Sequence, residues 1–194
     1  MPRVDPLPPE DWPPEMRDAL AALRPADPTH PMPERRPDRP KGLNVLGTLA
    51  HHPKLTTAYH VFNGQVQFGT TLTQRQRELL VLRVGAVRDC EYEWAQHVVI
   101  AADLGVSAEE ISRVREGPDA DGWGRSDAAL LRAVDELLGS ARISDGTWAA
   151  LREDLEVPQL MDLIFTVGAY ETLAMFIRSV DMELDEDLRA HVTP

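Results

Sequence analysis

The sequence predicts an all-α protein. Apolar residues recur at spacings of three and four from Leu43 onward, helix-capping Ser, Thr and Asp residues stand before several of those runs, and no segment shows the two-residue alternation of a strand. At 194 residues, 43% of them apolar and 27% charged, the chain is long enough to bury one core and has the make-up of a soluble globular domain.

Twelve of the 16 prolines lie within residues 1–40. Proline lacks the backbone donor that a continuing helix needs, so residues 1–42 read as an extended arm, with a short helix over Glu15–Leu23. Trp12, Met16 and Leu20 are placed to pin that arm onto a neighbouring surface. The helical domain is expected over 43–194. Leu43, Leu46 and Leu49 predict a short helix ending near His51 and His52, and Pro53 suits the first turn of the next. Leu55, Tyr59, Phe62 and Val66 form its apolar face, and Gly69 with Thr70 and Thr71 ends it.

Thr73 and Gln76 form a capping box before a helix over 74–87. A break at Arg88–Asp89 follows, with Asp89 the expected cap of a helix over Cys90–Leu104 that Gly105 stops. Ser107 and Glu110 form a second capping box before a helix through Arg115. The stretch EGPDADGWGRSD is a turn-rich loop. Ser126 is the expected cap of a helix through Leu138, and Ser144 or Asp145 of one through Leu155. Pro158 opens a last long helix, apolar on most sides, which implies deep burial or an intersubunit face.

A formal net charge of −12 argues against a nucleic-acid partner, which would call for a basic stripe, and against an anionic membrane surface. No 18-residue apolar run marks a membrane span, and the N-terminus has no apolar signal core, so a cytoplasmic location is expected. One cysteine, Cys90, makes neither an intrachain disulfide nor a zinc cluster. His51, His52 and His60 lack metal-ligand spacing, and no Gly-rich phosphate loop or nucleophile elbow is present. No metal and no cofactor are expected. The remaining partner is a small-molecule substrate.

The chemistry concentrates in the two helices around Arg88–Asp89. A connection of about two residues makes them antiparallel neighbours. Glu78 lies roughly 15 Å below the turn and His97 roughly 12 Å below it, at 1.5 Å per residue, so the two stand at nearly one level. Cys90, Glu93 and His97 share a face at spacings of three and four, continued by Ile100 and Leu104. Three polar groups in an otherwise apolar seam are costly unless they satisfy one another, a local conflict that marks functional sites. Spacing alone equally allows Glu93 and His97 to be a solvated surface pair, and Glu78 an exposed residue beside Arg75 and Arg77.

The stretch RELLVLRVGAVRDCEYEWAQHVVIAADLGVSAEEI resembles the core of the carboxymuconolactone decarboxylase and AhpD-like alkylhydroperoxidase family. That family carries a glutamate, then C-x-x-C at a helix start twelve residues on, then a histidine four residues after the second cysteine. Glu78, Cys90 and His97 match; Glu93 stands where the second cysteine would be. The resemblance covers residues 43–186 and implies a helical subunit with a central antiparallel hairpin, assembled as trimers or hexamers. It implies two chemistries. One is cofactor-free acid/base catalysis of the lyase or isomerase type on a small carboxylated or carbonyl compound. In it His97 moves the proton, Glu78 holds its tautomer, Glu93 is a second base or orients the substrate, and Tyr92 donates to a developing enolate. The other is peroxidase activity through Cys90 alone, with an external resolving thiol. A silent oligomeric family member is the third reading. Outside this seam, His52 is expected to cap the helix at Pro53, Trp94 to fill the core and Trp123 to anchor its loop.

Overall fold

Thr73 and Ser107 each close a capping box in the computed structural model, which describes residues 1–31 and 39–189. In each, the hydroxyl accepts from the backbone N–H three residues on, and the Gln76 or Glu110 side chain accepts from the cap's own N–H. The helices are α1 (Met16–Ala21), α2 (Leu43–Leu49), α3 (Pro53–Gly64), α4 (Gln74–Val87), α5 (Glu91–Asp103), α6 (Ala108–Glu116), α7 (Arg125–Ser140), α8 (Asp145–Leu151), α9 (Val157–Ser179) and α10 (Glu186–Arg189). A π-helical stretch, Gln65–Gly69, prolongs α3. Among the described residues there is no strand, so the all-α expectation holds.

Contacts divide the chain into two compact units, Met1–Thr70 with Met175–Pro194, and Thr71–Ala174. In the first, the proline-rich arm is fastened to its own chain. The Leu7 N–H donates to the Gly47 carbonyl at 3.2 Å, and the Trp12 indole N–H donates to the Leu7 carbonyl at 2.8 Å. Met16 and Ala19 are buried with Ala50, flanked by Leu7, Trp12 and Leu20, so the three residues expected to pin the arm do so within the chain. The arm's residues 32–38 lie outside the described residues.

The buried face of α3 is the expected one only in part: Val66 is buried and Tyr59 half-buried, as expected. Thr56, His60 and Asn63 are buried, whereas Leu55 and Phe62 are exposed. The buried imidazole has a partner: His60 Nδ1 lies 2.8 Å from the Ala19 carbonyl. Burial, partly offset by that bond, lowers the His60 pKa and favours the neutral ring. His52 caps α3 as expected, its Nδ1 accepting from the Leu55 N–H at 3.3 Å. His51 reaches the Asp5 carbonyl instead. Each of the three histidines thus serves a different backbone group.

In the second unit α4 packs on α5, α6 and α7, and α7 on α8. Its apolar centre holds Leu79, Leu82, Trp94, Ala101, Val106, Ile111, Val114 and Leu131. Trp94 is therefore core, with the Arg115 guanidinium over its ring, and Trp123 anchors its loop by donating to the Gly117 carbonyl at 3.0 Å. Four boundaries differ from expectation. Gly124, not Ser126, caps α7, which runs on to Ser140; α8 stops at Leu151; and Asp89 does not cap α5. Asp89 instead adopts left-handed backbone (φ 50°), the Cys90 N–H bonds the Gly85 carbonyl at 2.9 Å, and Cys90 itself is the N-cap of α5. This is a Schellman turn fused to the start of the next helix, and aspartate is among the few side chains that tolerate the left-handed position.

At 23 residues α9 is long and apolar enough to cross a membrane, but nearly half of its most apolar window is buried inside the fold, including Leu160, Leu163, Val167 and Tyr170. Its opposite side exposes Val157, Met161, Ile164 and Phe165.

A Cβ at Gly64 would collide with the Leu23 carbonyl, whereas one at Gly146 would meet nothing within 4 Å. Gly64→Ala is expected to lower stability in urea unfolding by about 1–3 kcal/mol through forced backbone movement. Gly146→Ala is expected to be neutral or to gain a few tenths of a kcal/mol.

Candidate functional site

The short turn brings α4 and α5 side by side, and Glu78 meets His97 at the level that their spacing predicts. His97 Nδ1 lies 2.7 Å from Glu78 Oε2. Glu78 is fully buried and His97 nearly so. The other carboxylate oxygen, Oε1, accepts from Arg77, through Nε at 2.9 Å and Nη2 at 2.5 Å. Arg77 is itself only 5% exposed. The solvated-surface alternative for Glu78 is therefore excluded.

Burial alone would push the Glu78 carboxyl towards its neutral form. His97 and Arg77 outweigh that penalty and hold it below the ordinary carboxylate range. A charged Glu78 can only accept, so the proton in its bond to the ring sits on His97 Nδ1, and Nε2 is the nitrogen left for chemistry. The Tyr170 ring, from α9, meets the imidazole edge-on at 5.0 Å.

Glu93 lies one turn before His97 but does not pair with it. It is 2% exposed, and neither carboxyl oxygen makes a hydrogen bond of ordinary geometry. Burial dominates its titration. The Cys90 thiol beside it pulls the other way and the Glu171 carboxylate adds to the rise, leaving Glu93 well above the usual carboxylate range. A carboxyl group so placed favours its uncharged form. Glu171 is held by Arg88, whose Nε donates to it at 2.6 Å and whose Nη2 donates to the Leu138 carbonyl at 3.0 Å.

Cys90 is buried at the start of α5. Tyr92 is buried as well, but the tyrosine that meets His97 is Tyr170. Ile100 and Leu104, expected to continue the seam, are only half-buried. Sequence spacing did not single out Arg77 or Tyr170. Adjacent residues on a helix do not face one another, so nothing in the RE dipeptide announces a pair. Tyr170 sits in a helix whose apolar content hides its one buried phenol-bearing face. Among the described residues no group of three His, Cys, Asp or Glu is placed to hold a metal ion.

The model of the carboxymuconolactone decarboxylase family matches residues 53–136, a segment that contains Glu78, Cys90, Glu93 and His97. No curated protein matches the chain in sequence. Among solved structures it is similar to the debrominase Bmp8, with a TM-score of 0.74 and 13% identity over 97% of this chain and 95% of that one. It is similar to an uncharacterised peroxidase-related protein from Silicibacter sp. TM1040, at TM-score 0.70 and 14% identity over 87% and 97%. It is also similar to the alkylhydroperoxidase AhpD core protein from Ralstonia eutropha JMP134, at TM-score 0.67 and 20% identity over 75% and 78%. At these identities the likeness is one of fold.

The two glutamates make opposite pH contributions to stability. Glu78, lowered in the fold, stabilises it above the ordinary carboxyl value of 4.5 and loses that contribution as pH falls. Glu93, raised in the fold, costs nothing below 4.5 and costs increasingly as pH rises towards its folded value. Urea unfolding of Glu93→Gln should therefore show stability gained over the parent as pH rises from 4.5, at about 1.4 kcal/mol per unit. For Glu78→Gln the deficit should be largest at pH 7 and shrink towards pH 4. Parallel curves for both variants and the parent would remove the assigned charge states.

Proposed function

We propose that this chain, whose residues 53–136 match the model of the carboxymuconolactone decarboxylase family, is a cofactor-independent acid/base enzyme of the lyase or isomerase type. The observation that carries this reading is the pairing, on one face of α5, of an imidazole held by a buried carboxylate with a second buried carboxyl group one turn away, whose surroundings favour its uncharged form. The two environments set a base and an acid apart. His97 Nε2 takes a proton from carbon next to a carbonyl. The Glu93 O–H hydrogen-bonds the oxygen on which charge develops. Glu78, anionic throughout, stabilises the imidazolium that forms. Return of the proton to another carbon completes an isomerisation. In a decarboxylation, CO2 leaves its bonding pair to the carbonyl system and His97 protonates the carbon.

A carbonyl-bearing substrate fits better than a carboxylated one. The arginines nearest the hairpin site, Arg77 and Arg88, are already ion-paired with Glu78 and Glu171. The same proposal includes assembly into homo-oligomers, as trimers or hexamers, through the exposed apolar side of α9, and action in the cytoplasm. The spacing of Val157, Met161, Ile164 and Phe165 at i, i+4, i+7 and i+8 supports a helix-packing face.

A second reading is favoured by one observation, the Cys90 thiol lying beside the Glu93 carboxyl group. Here the thiol passes its proton to His97, the thiolate attacks a hydroperoxide oxygen, and the O–O bond breaks. The departing alkoxide takes the Glu93 proton. The resulting Cys90 sulfenic acid is reduced by two equivalents of an external thiol, giving water and a disulfide of that thiol.

Solvent-deuterium exchange and CO2 release, measured on a panel of 1,3-dicarbonyls and carboxylated lactones, separate the readings. Cys90→Ser is expected to keep most activity, while His97→Ala and Glu93→Gln each lose about 100-fold or more. The peroxidase reading predicts instead dithiothreitol-dependent peroxide consumption that Cys90→Ser abolishes. An inactive serine variant beside healthy His97→Ala and Glu93→Gln would falsify the acid/base assignment.

A further inference from the structure

We infer that Arg77 is a positioning residue of this site: by occupying Glu78 Oε1 with two donors it leaves Oε2 alone to face His97, and so fixes the ring with its proton on Nδ1. The inference rests on the proton-moving role proposed above for His97. What points to it is the manner of the contact rather than its existence. Two other arginines of the same unit meet carboxylates in the ordinary fork. Arg75 places Nη1 and Nη2 on separate oxygens of Asp127, both at 2.9 Å. Arg83 places Nε and Nη2 on separate oxygens of Asp135, at 2.6 and 2.8 Å. Such a fork uses both carboxylate oxygens and is the favoured geometry for an arginine. Arg77 instead sends Nε and Nη2 to the same oxygen, and the second oxygen belongs to the imidazole.

The placement is also costly, which a packing role does not explain. Arg77 and Glu78 are successive residues of α4, whose side chains leave the helix in different directions. The guanidinium folds back to reach its neighbour and is buried in doing so. A methionine would fill the same space without carrying a charge out of water.

Its effect on His97 follows from charge. With Arg77 in place, Glu78 is a carboxylate whose two oxygens are divided between a permanent cation and the Nδ1–H of the ring. Without Arg77, the buried carboxylate has one partner left. It then either draws a second proton from solvent onto His97, giving a standing imidazolium, or takes the Nδ1 proton itself while Nε2 gains one from solvent, leaving the ring in the other tautomer. Both states remove the Nε2 lone pair that the proposed chemistry uses.

The test uses the full chain and the variants Arg77→Met, Arg77→Gln and Arg77→Lys. The first readout needs no substrate: the ring-nitrogen shifts of His97 by proton–nitrogen NMR between pH 5 and 9. The parent should show a neutral ring protonated on Nδ1 at neutral pH. Arg77→Met and Arg77→Gln should show imidazolium persisting at least one pH unit higher, or the other tautomer, and Arg77→Lys should restore the parent pattern in part. The second readout is the pH profile of proton exchange, whose acidic limb should move up by at least one unit in Arg77→Met, a tenfold loss of free base at fixed pH. A double variant, Arg77→Met with Glu78→Gln, covers the case in which the single variant fails to fold, because it removes both members of the ion pair. It should be no worse than Glu78→Gln alone, the non-additivity expected where Arg77 influences His97 through Glu78.

Parent-like ring shifts and an unmoved pH profile in a folded Arg77→Met or Arg77→Gln protein would overturn the inference. So would a double variant much less active than Glu78→Gln. Loss of the functional reading has a separate signature. It would appear as full activity in His97→Ala, with the tautomer of the parent ring unaltered.

Discussion

The structure of the central unit is organised around one buried ionic chain, Arg77–Glu78–His97. An isolated carboxylate could not remain charged at zero exposure; desolvation would neutralise it. It stays charged because each of its oxygens has a cationic or proton-bearing partner, and that in turn requires α4 and α5 to be held at one separation and one register. The Schellman turn at Asp89 sets the register. The helices are close at Gly85, where a Cβ would stand in ordinary contact, 3.4 Å from the Trp94 backbone nitrogen. The Thr73 capping box fixes where α4 begins, and with it the height at which Glu78 stands.

Much of this could be read from the chain alone, and the reasons are physical. Capping boxes at Thr73 and Ser107 are local chemistry, complete within four residues, so sequence reveals them. The meeting of Glu78 and His97 followed from helical rise and a short connection, both insensitive to context. The misreadings arose where tertiary contacts decide. Asp89 was a plausible cap by type, but the turn needed a left-handed residue there, and Cys90 took the cap position. On α3 the apolar periodicity of Leu55 and Phe62 was real, yet the face that packs against the arm carries Thr56 and His60, whose polar groups bond backbone carbonyls. Arg77 escaped because spacing rules describe side chains that leave a helix radially, and this one lies along it.

Glu93 marks the point at which this chain departs from the residue pattern it otherwise resembles. At the position where the resemblance calls for a second thiol, this chain buries a carboxyl group. A thiol pair can close a disulfide within the subunit; a single thiol beside a carboxyl group cannot. The helices, the turn and the carboxylate–imidazole pair are indifferent to that exchange. The exchange changes the chemistry of one side chain without disturbing how the site is built.

The same carboxyl group carries a consequence on a longer timescale. Glu93 is enclosed with no ordinary hydrogen bond to compensate it, so the native state is poorer for its presence. Random substitution at that codon would relax the burden in many ways, through glutamine, methionine or leucine, each sparing the chain a desolvated acid. A lineage that ceased to use the site would therefore drift away from glutamate here before it lost the Thr73 cap or the Leu79–Leu82 core. Position 93 is where disuse would first become visible.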